Sequence, residues 1–349
     1  MAIPRTMKAA ILVEQRKPLV VAEVGLPQQL EVGQVLVKVH YSGICGSQLG
    51  EIDGVKGEDR YLPHLLGHEG SGTVLETGPG VTHVKVGDKV VLHWRKGLGI
   101  ESPTPAYAWN GRKVNAGWVT TFNEYAIVSE NRLTRISPDS DMEVATLFGC
   151  AVTTGFGVVQ NNAKLRIGES VVIYGAGGVG LNMVQAAALV TAYPIIAVDL
   201  YDNRLELARR MGATHILNAR REDPRARIRD LIRSGGVDAF IDNTGLPEII
   251  QLGYELTGAR GRVILVGVPG MGSRTSIHTL PLHFGKLLSG SHGGEAIPHE
   301  DIPRYQALYE TGRVKLRELL THRYSLDQVN EAIAGMRNGA VGGRCLITL

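Results

Sequence analysis

Val171-Val172-Ile173-Tyr174-Gly175-Ala176-Gly177-Gly178-Val179-Gly180 is the stretch on which the fold of this 349-residue chain turns. An apolar run enters a glycine-rich turn and leaves it as an apolar helical segment, so G-x-G-x-x-G sits where a buried strand passes into a helix. No charged residue occurs anywhere in 171–198. That length alone would fit a membrane span, but the glycines, Asn182, Gln185 and Pro194 interrupt it. Strand, glycine turn, buried helix and second strand is the better reading, because parallel strands covered on both faces are continuously apolar. Asp199 closes the second strand about 20 residues beyond the glycines. In that setting Gly175, Gly177, Gly178 and Gly180 let the backbone, with Val179, approach a pyrophosphate whose charge is stabilised by the free N–H groups of the helix N-terminus. Asp199 is placed to accept hydrogen bonds from the adenosine ribose and to repel a 2′-phosphate, so NAD rather than NADP is expected, with Arg204 close enough in sequence to soften that choice. The residue-level alternative is an empty structural strand–helix turn.

Outward from this stretch the rhythm is regular. Further strand candidates at 195–198, 239–242 and 263–266 are separated by helix-length segments, and such alternation specifies an α/β, doubly wound parallel sheet. Upstream the pattern is different. Short apolar or alternating runs at 35–39, 72–75 and 89–92, punctuated by Gly, Pro and Asp, read as all-β. After about residue 291 come helical runs near 301–310 and 326–336 and a closing strand, Arg344–Thr348, a tail expected to rejoin the first domain. The expected division is therefore a β-rich domain at 1–151, a doubly wound domain at 152–290 and a returning segment at 291–349. No repeat of solenoid period is visible.

Composition narrows the function. Forty-four glycines favour tight turns and close backbone approaches over a helical bundle. The formal charge of +3 is spread along the chain. The densest basic stretch, 220–233, interleaves its arginines with Glu222, Asp223 and Asp230 and reads as a solvated helix face, so no nucleic-acid partner is expected. Only three cysteines, Cys45, Cys150 and Cys345, are present. They are too few for a secreted disulfide framework and fit a reducing cytoplasm. The opening MAIPRTMKAAILVEQ meets charge too early for a signal peptide, and no membrane partner is expected.

Cys45 lies in Gly43-Ile44-Cys45-Gly46-Ser47 and His68 in Gly67-His68-Glu69-Gly70-Ser71-Gly72. Alone, each is ordinary: a cysteine is usually a small buried hydrophobe and a histidine a satisfied core or surface residue. Together with Gly78 and Val81, however, the second segment completes G-H-E-x-x-G-x-x-x-x-x-G-x-x-V. This pattern resembles the zinc-containing medium-chain dehydrogenase/reductase (alcohol dehydrogenase) family. The resemblance extends over essentially the whole chain, through Gly236-Val237-Asp238, Val266-Gly267-Val268 and Thr321-His322-Arg323-Tyr324. Spacing at 148–156 and around His292-Gly293-Gly294 is most similar to the liver-type and glutathione-dependent formaldehyde dehydrogenase branch.

The resemblance implies a GroES-like catalytic domain built from both chain ends, a Rossmann domain between them and an active site in the cleft. It implies a third metal ligand at Cys150, so that Cys45, His68 and Cys150 hold one catalytic Zn2+ with a fourth position for water or substrate, and Glu69 approaches the metal transiently. Zinc of this kind acts as a Lewis acid on the bound alcohol while hydride leaves for the nicotinamide. By the same resemblance Thr154 packs near the nicotinamide, and Trp94 and Phe122 line the substrate cleft beside Ser47 and Val268. The expected activity is oxidation of a primary or secondary alcohol to aldehyde or ketone with NAD, by a homodimer or homotetramer acting on a small-molecule alcohol or aldehyde. A sugar or polyol dehydrogenase is a rival of the same chemistry. An idle NAD-binding relative is a rival of another class, one that would lack the metal ligands.

Two departures from the family pattern stand out. Segment 93–118 carries Trp94, Tyr107, Trp109 and Trp118 but no cysteine, so no structural four-cysteine zinc site can be built and the aromatics are expected to pack that loop against the core or a partner subunit. Relatives pass the alcohol proton from a Ser or Thr at the place of Ser47 to a histidine, and here that position is Gly50. Gln48 replaces a carboxylate that would orient the metal-binding imidazole. Either solvent receives the proton, or the activity is weakened or specialised.

Overall fold

The apolar run Val171–Tyr174 is a fully buried strand, and Gly178–Leu189 is the helix that leaves the glycine turn. In the computed structural model, which describes residues 3–232 and 235–349, six strands lie in the order His215–Asn218, Ile195–Asp199, Val171–Tyr174, Val237–Asp242, Thr257–Leu265 and Leu287–Gly290. Every pairing in this sheet is parallel. The chain runs outward from Val171–Tyr174 on one side, then returns to its other side and runs outward again. Such a reversal opens a crevice at the carboxyl ends of the two central strands, where open α/β sheets bind ligands. Arg233, the end of the basic run, and the first two residues of the chain lie outside the described residues.

Two of these strands were not legible in the sequence, for a physical reason. His215–Asn218 is only half buried along its length, and Leu287–Gly290 is an edge strand with no fully buried residue. Neither carries the unbroken apolar run of a doubly covered strand. The sheet belongs to a compact unit spanning Ala151–Ala296. Residues 291–296 stay with it because the Gly293–Glu295 turn packs against the Thr154–Val158 backbone; a Cβ on Gly294 would lie 2.5 Å from the Thr154 carbonyl oxygen.

The other unit joins Met1–Cys150 to Ile297–Leu349. Thr6–Leu12, Val20–Gly25, Ala106–Trp109, Arg112–Asn115 and His64–Leu65 close into a small barrel. A second sheet runs Leu133–Arg135, Lys89–His93, Glu69–Thr77, Gln34–Gly43, Arg344–Thr348 and Leu320–Ser325, with Tyr125–Ser129 also paired to Gln34–Gly43. Alternation explains its core: Val35, Val37 and Val39 face inward with Val74, Val90, Leu92 and Val128, each burial contributing roughly 1.5–3 kcal/mol. The chain end is integral to this sheet, since Leu346 and Ile347 pair antiparallel with Gly43 and Ser42. Among the described residues no helix is long and apolar enough to cross a membrane.

The cysteine-free segment after the second sheet's first strands is fixed by charge and aromatic packing. Glu130, 1% exposed, accepts the N–H groups of Thr82, His83 and Ile100 at 2.6, 2.6 and 2.9 Å. Burial pushes its carboxyl up, but the hydrogen bonds from His83, Ile100 and Thr82 outweigh that and hold it below the usual range. Arg132, also buried, donates to the Trp94 carbonyl at 2.7 Å and to Glu101 at 3.0 Å and lies 5.0 Å from the ring of Trp118. Tyr107 accepts the Ile127 N–H at 3.1 Å within the barrel core, against which Trp109 packs.

Glu130→Gln sets an amide NH2 against at least one of these N–H donors. Hydrogen bonds to a charged group are worth about 1.5–3 kcal/mol each, so the urea midpoint of the variant is expected to fall by the equivalent of about 2 kcal/mol. Because the folded carboxyl titrates below its unfolded value, the stability it contributes is present above the unfolded value and is lost as pH falls through the folded one. The wild-type advantage should therefore vanish in acid, and an advantage that persists there would contradict this role.

Candidate functional site

Three segments of the first unit bring candidate metal-binding atoms to one point. Cys45 is the N-cap of helix Gly46–Ile52, in extended conformation, and its N–H is held by the Gln48 side-chain oxygen at 2.8 Å. His68 immediately precedes strand Glu69–Thr77. Cys150 follows the turn after helix Met142–Leu147. That turn requires Gly149, where a Cβ would lie 2.4 Å from the Leu92 carbonyl oxygen and 2.8 Å from the Glu69 Cα. The close approach brings Cys150 against the His68–Glu69 backbone.

The ligand atoms of Cys45, His68 and Cys150 all lie within 4.8 Å of one another. The two sulfurs are 3.9 Å apart and both cysteines are free. A tetrahedral ion with Zn–S bonds of about 2.3 Å sets its sulfurs about 3.8 Å apart, so the spacing suits zinc and excludes a disulfide, whose bond is about 2.05 Å. Among the described residues His68 Nε2 is buried with no hydrogen-bond partner, as a nitrogen reserved for a metal should be. A hydrogen bond from Cys150 holds the Cys45 thiol well below the ordinary range against the opposing effect of burial, with His68 and Arg344 acting in the same direction. The thiolate is the form that binds metal. Cys345 is not part of this group: it sits in the apolar core with Ile44 and Phe122, and burial pushes its thiol up to about 11.

Glu69 is wholly buried and paired with Arg344, itself buried at the start of the closing strand. Ser42 and Thr121 hydroxyls, 2.6 Å apart, both reach the Glu69 carbonyl and fix the backbone beside His68. Sequence reasoning missed Arg344. The available signal was an arginine opening an otherwise apolar strand. It also read Gln48 only as a lost carboxylate, whereas the side chain is buried and pins the Cys45 loop. Ser47 is half-buried in the first turn of the same helix. Trp94 is partly buried against the second sheet's core. Phe122 is fully buried among Ile44, Ile52 and Leu66, so the structure places it in the core behind the Cys45 loop and not on an open cleft wall.

The second unit presents a nucleotide cradle. Gly177 caps helix Gly178–Leu189 with no side-chain cap bond, and a Cβ there would meet nothing within 4 Å among the described residues. That leaves the N–H groups of Gly178, Val179 and Gly180 open to an anion. Gly180 must be glycine because a Cβ would lie 2.0 Å from the Gly175 carbonyl oxygen. Asp199, 6% exposed, accepts from Ala176 N–H at 2.8 Å through Oδ2 and from Leu200 and Tyr201 N–H at 2.7 and 3.1 Å through Oδ1. Arg204 stands 3.8 Å from Oδ2. Thr154 has a buried Oγ1 with no hydrogen-bond partner among the described residues. Val268 lies half-exposed beyond the fifth strand, its backbone against Gly245.

Residues 31–138 match the family model of the alcohol dehydrogenase GroES-like domain, and residues 178–311 match that of the zinc-binding dehydrogenase. The chain is 32% identical over 361 residues to the S-(hydroxymethyl)glutathione dehydrogenase of Synechocystis sp., an alignment covering 95% of this chain and 97% of the relative. Among solved structures it is similar to benzyl alcohol dehydrogenase from Acinetobacter calcoaceticus, with a TM-score of 0.89, 30% identity and coverage of 99% and 100% of the two chains. An alcohol dehydrogenase zinc-binding domain protein from Burkholderia ambifaria gives a TM-score of 0.88 at 29% identity, with 99% of both chains covered.

Arg344→Leu strands the Glu69 carboxylate in the core. Removing one partner of a buried pair costs about 3–5 kcal/mol, whereas replacing both by apolar residues can be nearly neutral. Urea unfolding should therefore show a large loss for Arg344→Leu and recovery of most of it in the Glu69→Leu, Arg344→Leu double variant. Additive losses would show that the two side chains are not energetically coupled.

Proposed function

The chain belongs to the zinc-binding medium-chain alcohol dehydrogenase family, and on that premise we propose that it oxidises a primary or secondary alcohol to the aldehyde or ketone with NAD. The observation that carries this reading is the convergence of Cys45, His68 and Cys150 at a spacing suited to zinc. When bound by these three residues, zinc supplies Lewis acidity that favours loss of the alcohol proton and, with it, departure of hydride from carbon. In balance, the alcohol gives its hydride to NAD, which becomes NADH, and one proton to the medium.

The residues around the ligands have distinct tasks in this proposal. Ser47, through its hydroxyl, takes the proton onward; with Gly50 beside it in the helix rather than an imidazole, solvent is the acceptor. Glu69 lies next to His68, and Arg344 is the partner of its carboxylate in the core. Gln48 and the Ser42–Thr121 pair hold the two ligand-bearing loops in place. In the second unit, Gly177 to Gly180 receive the pyrophosphate, Asp199 the adenosine ribose, and Thr154 with Val268 the nicotinamide end. Trp94 is the wall offered to the substrate.

A homo-oligomer is part of the same reading. Leu287–Gly290 is the sheet's edge strand, and Leu280, Phe284 and Leu287 beside it are exposed. An apolar edge of this kind is a template for pairing with a second copy. The zinc-binding thiols require a reducing setting, and a cytoplasmic location meets that need.

The test is elemental analysis of chelator-washed protein joined to NADH formation over a panel of short, aromatic and polyol alcohols. About one zinc per chain is expected, with NADH formed. Cys150→Ser is expected to lose both zinc and turnover while NAD still binds by calorimetry. Full zinc content and normal turnover in that variant would reject Cys150 as a ligand.

A further inference from the structure

The adenosine end of the nucleotide cradle carries more positive charge than a ribose with free hydroxyls needs. Asp199 ends its strand in register with Asn218 of the neighbouring strand, and the residues just past each of them face the same crevice at the carboxyl edge of the sheet. From one side comes Arg204, whose guanidinium carbon lies 4.8 Å from the centre of the Tyr201 ring. From the other comes Arg220, two residues beyond Asn218, at 4.6 Å from the same ring. Tyr201 therefore gathers two guanidinium groups beside one carboxylate. Contacts of this kind hold arginine side chains in place without consuming their N–H donors.

The carboxylate is already largely spoken for. A carboxylate offers about four acceptor sites, and three N–H groups of its own turn and the glycine turn occupy Asp199, with Arg204 at 3.8 Å from Oδ2. What is left suffices for one ribose hydroxyl. Its negative charge is spread over those donors and countered by Arg204, so it is a weaker barrier to a second anion than a free aspartate would be.

Arg220 is the decisive residue. Its neighbours are neutralised: Arg221 pairs with Asp202, Arg225 with Glu255, and Arg227 with Glu222 and Asp230. Arg220 is exposed, and among the described residues no carboxylate pairs with it. It turns toward Tyr201 instead of joining the surface network. One carboxylate against two guanidiniums leaves an excess positive charge where the ribose hydroxyls arrive.

We propose that this end of the site also takes a phosphate on the ribose 2′-oxygen, so that NADP is a ligand of the protein alongside NAD. The proposal rests on the nucleotide reading of the glycine turn and goes beyond it. Arg220 supplies the bidentate fork to the phosphate, and Arg204 shields the phosphate from Asp199.

Isothermal titration of the purified protein with ADP and with 2′,5′-ADP tests this without any turnover. The two are expected to bind within about tenfold of each other, with 2′,5′-ADP weakened more steeply by added salt. Arg220→Gln, a change at an exposed position, is expected to weaken 2′,5′-ADP by about tenfold or more, the loss being confined to the phosphorylated ligand. Weaker binding of 2′,5′-ADP than of ADP by more than about tenfold, or equal losses for both ligands in the variant, would overturn the proposal. Binding of neither would overturn it together with the nucleotide reading, whereas binding of ADP alone would overturn it and leave that reading intact.

Discussion

Two sulfurs separated by 105 positions in the chain, those of Cys45 and Cys150, meet 3.9 Å apart in a buried pocket. Two thiolates at that distance repel by about 4 kcal/mol even at an effective dielectric of about 20. The protein resolves this by letting the Cys150 thiol donate to the Cys45 sulfur, which is why Cys45 is the group held low. A proton between two sulfurs and a divalent cation between them solve the same electrostatic problem. Metal loading therefore displaces a proton, and the affinity of such a site for zinc rises with pH.

Holding that arrangement needs fixed backbone at three places, and the surrounding polar groups supply it. Gln48 pins the Cys45 loop, Ser42 and Thr121 clamp the Glu69 carbonyl, and the bare Gly149 turn lies on the His68 strand. Arg344 comes from the last strand and supplies the partner of a buried carboxylate beside the candidate metal ligands. A buried pair of this kind contributes little net stability but is severely destabilising when half of it is lost. Beside the cysteine-free lobe, the Glu130 carboxylate gathers three N–H groups.

What could be read beforehand follows from what is local. The strand Val171–Tyr174 was legible to its ends because burial on both faces leaves an unbroken apolar run. The glycine turn was legible because its place between strand and helix carries the chemistry, and the G-H-E segment because its pattern resembles that of the family. His215–Asn218 and Leu287–Gly290 were not, being half buried or at an edge. Arg344 and Gln48 escaped because each acts through a partner that sequence distance or a helix cap hides. Phe122, expected on a cleft wall, lies in the core, since an aromatic side chain in an apolar environment gains more from full burial. Asp199 was placed correctly at its strand end, yet its acceptor sites are mostly filled by its own turn, which no spacing rule foretells.

Every later step of the proposed reaction depends on the donor set at one metal. X-ray absorption at the zinc edge on the purified, zinc-loaded protein reads that donor set directly. Two sulfur scatterers at about 2.3 Å with nitrogen and oxygen scatterers at about 2.0–2.1 Å are expected from Cys45, Cys150 and His68 with one open position. A shell with no sulfur, or with a third sulfur contributed by Cys345, would contradict that assignment.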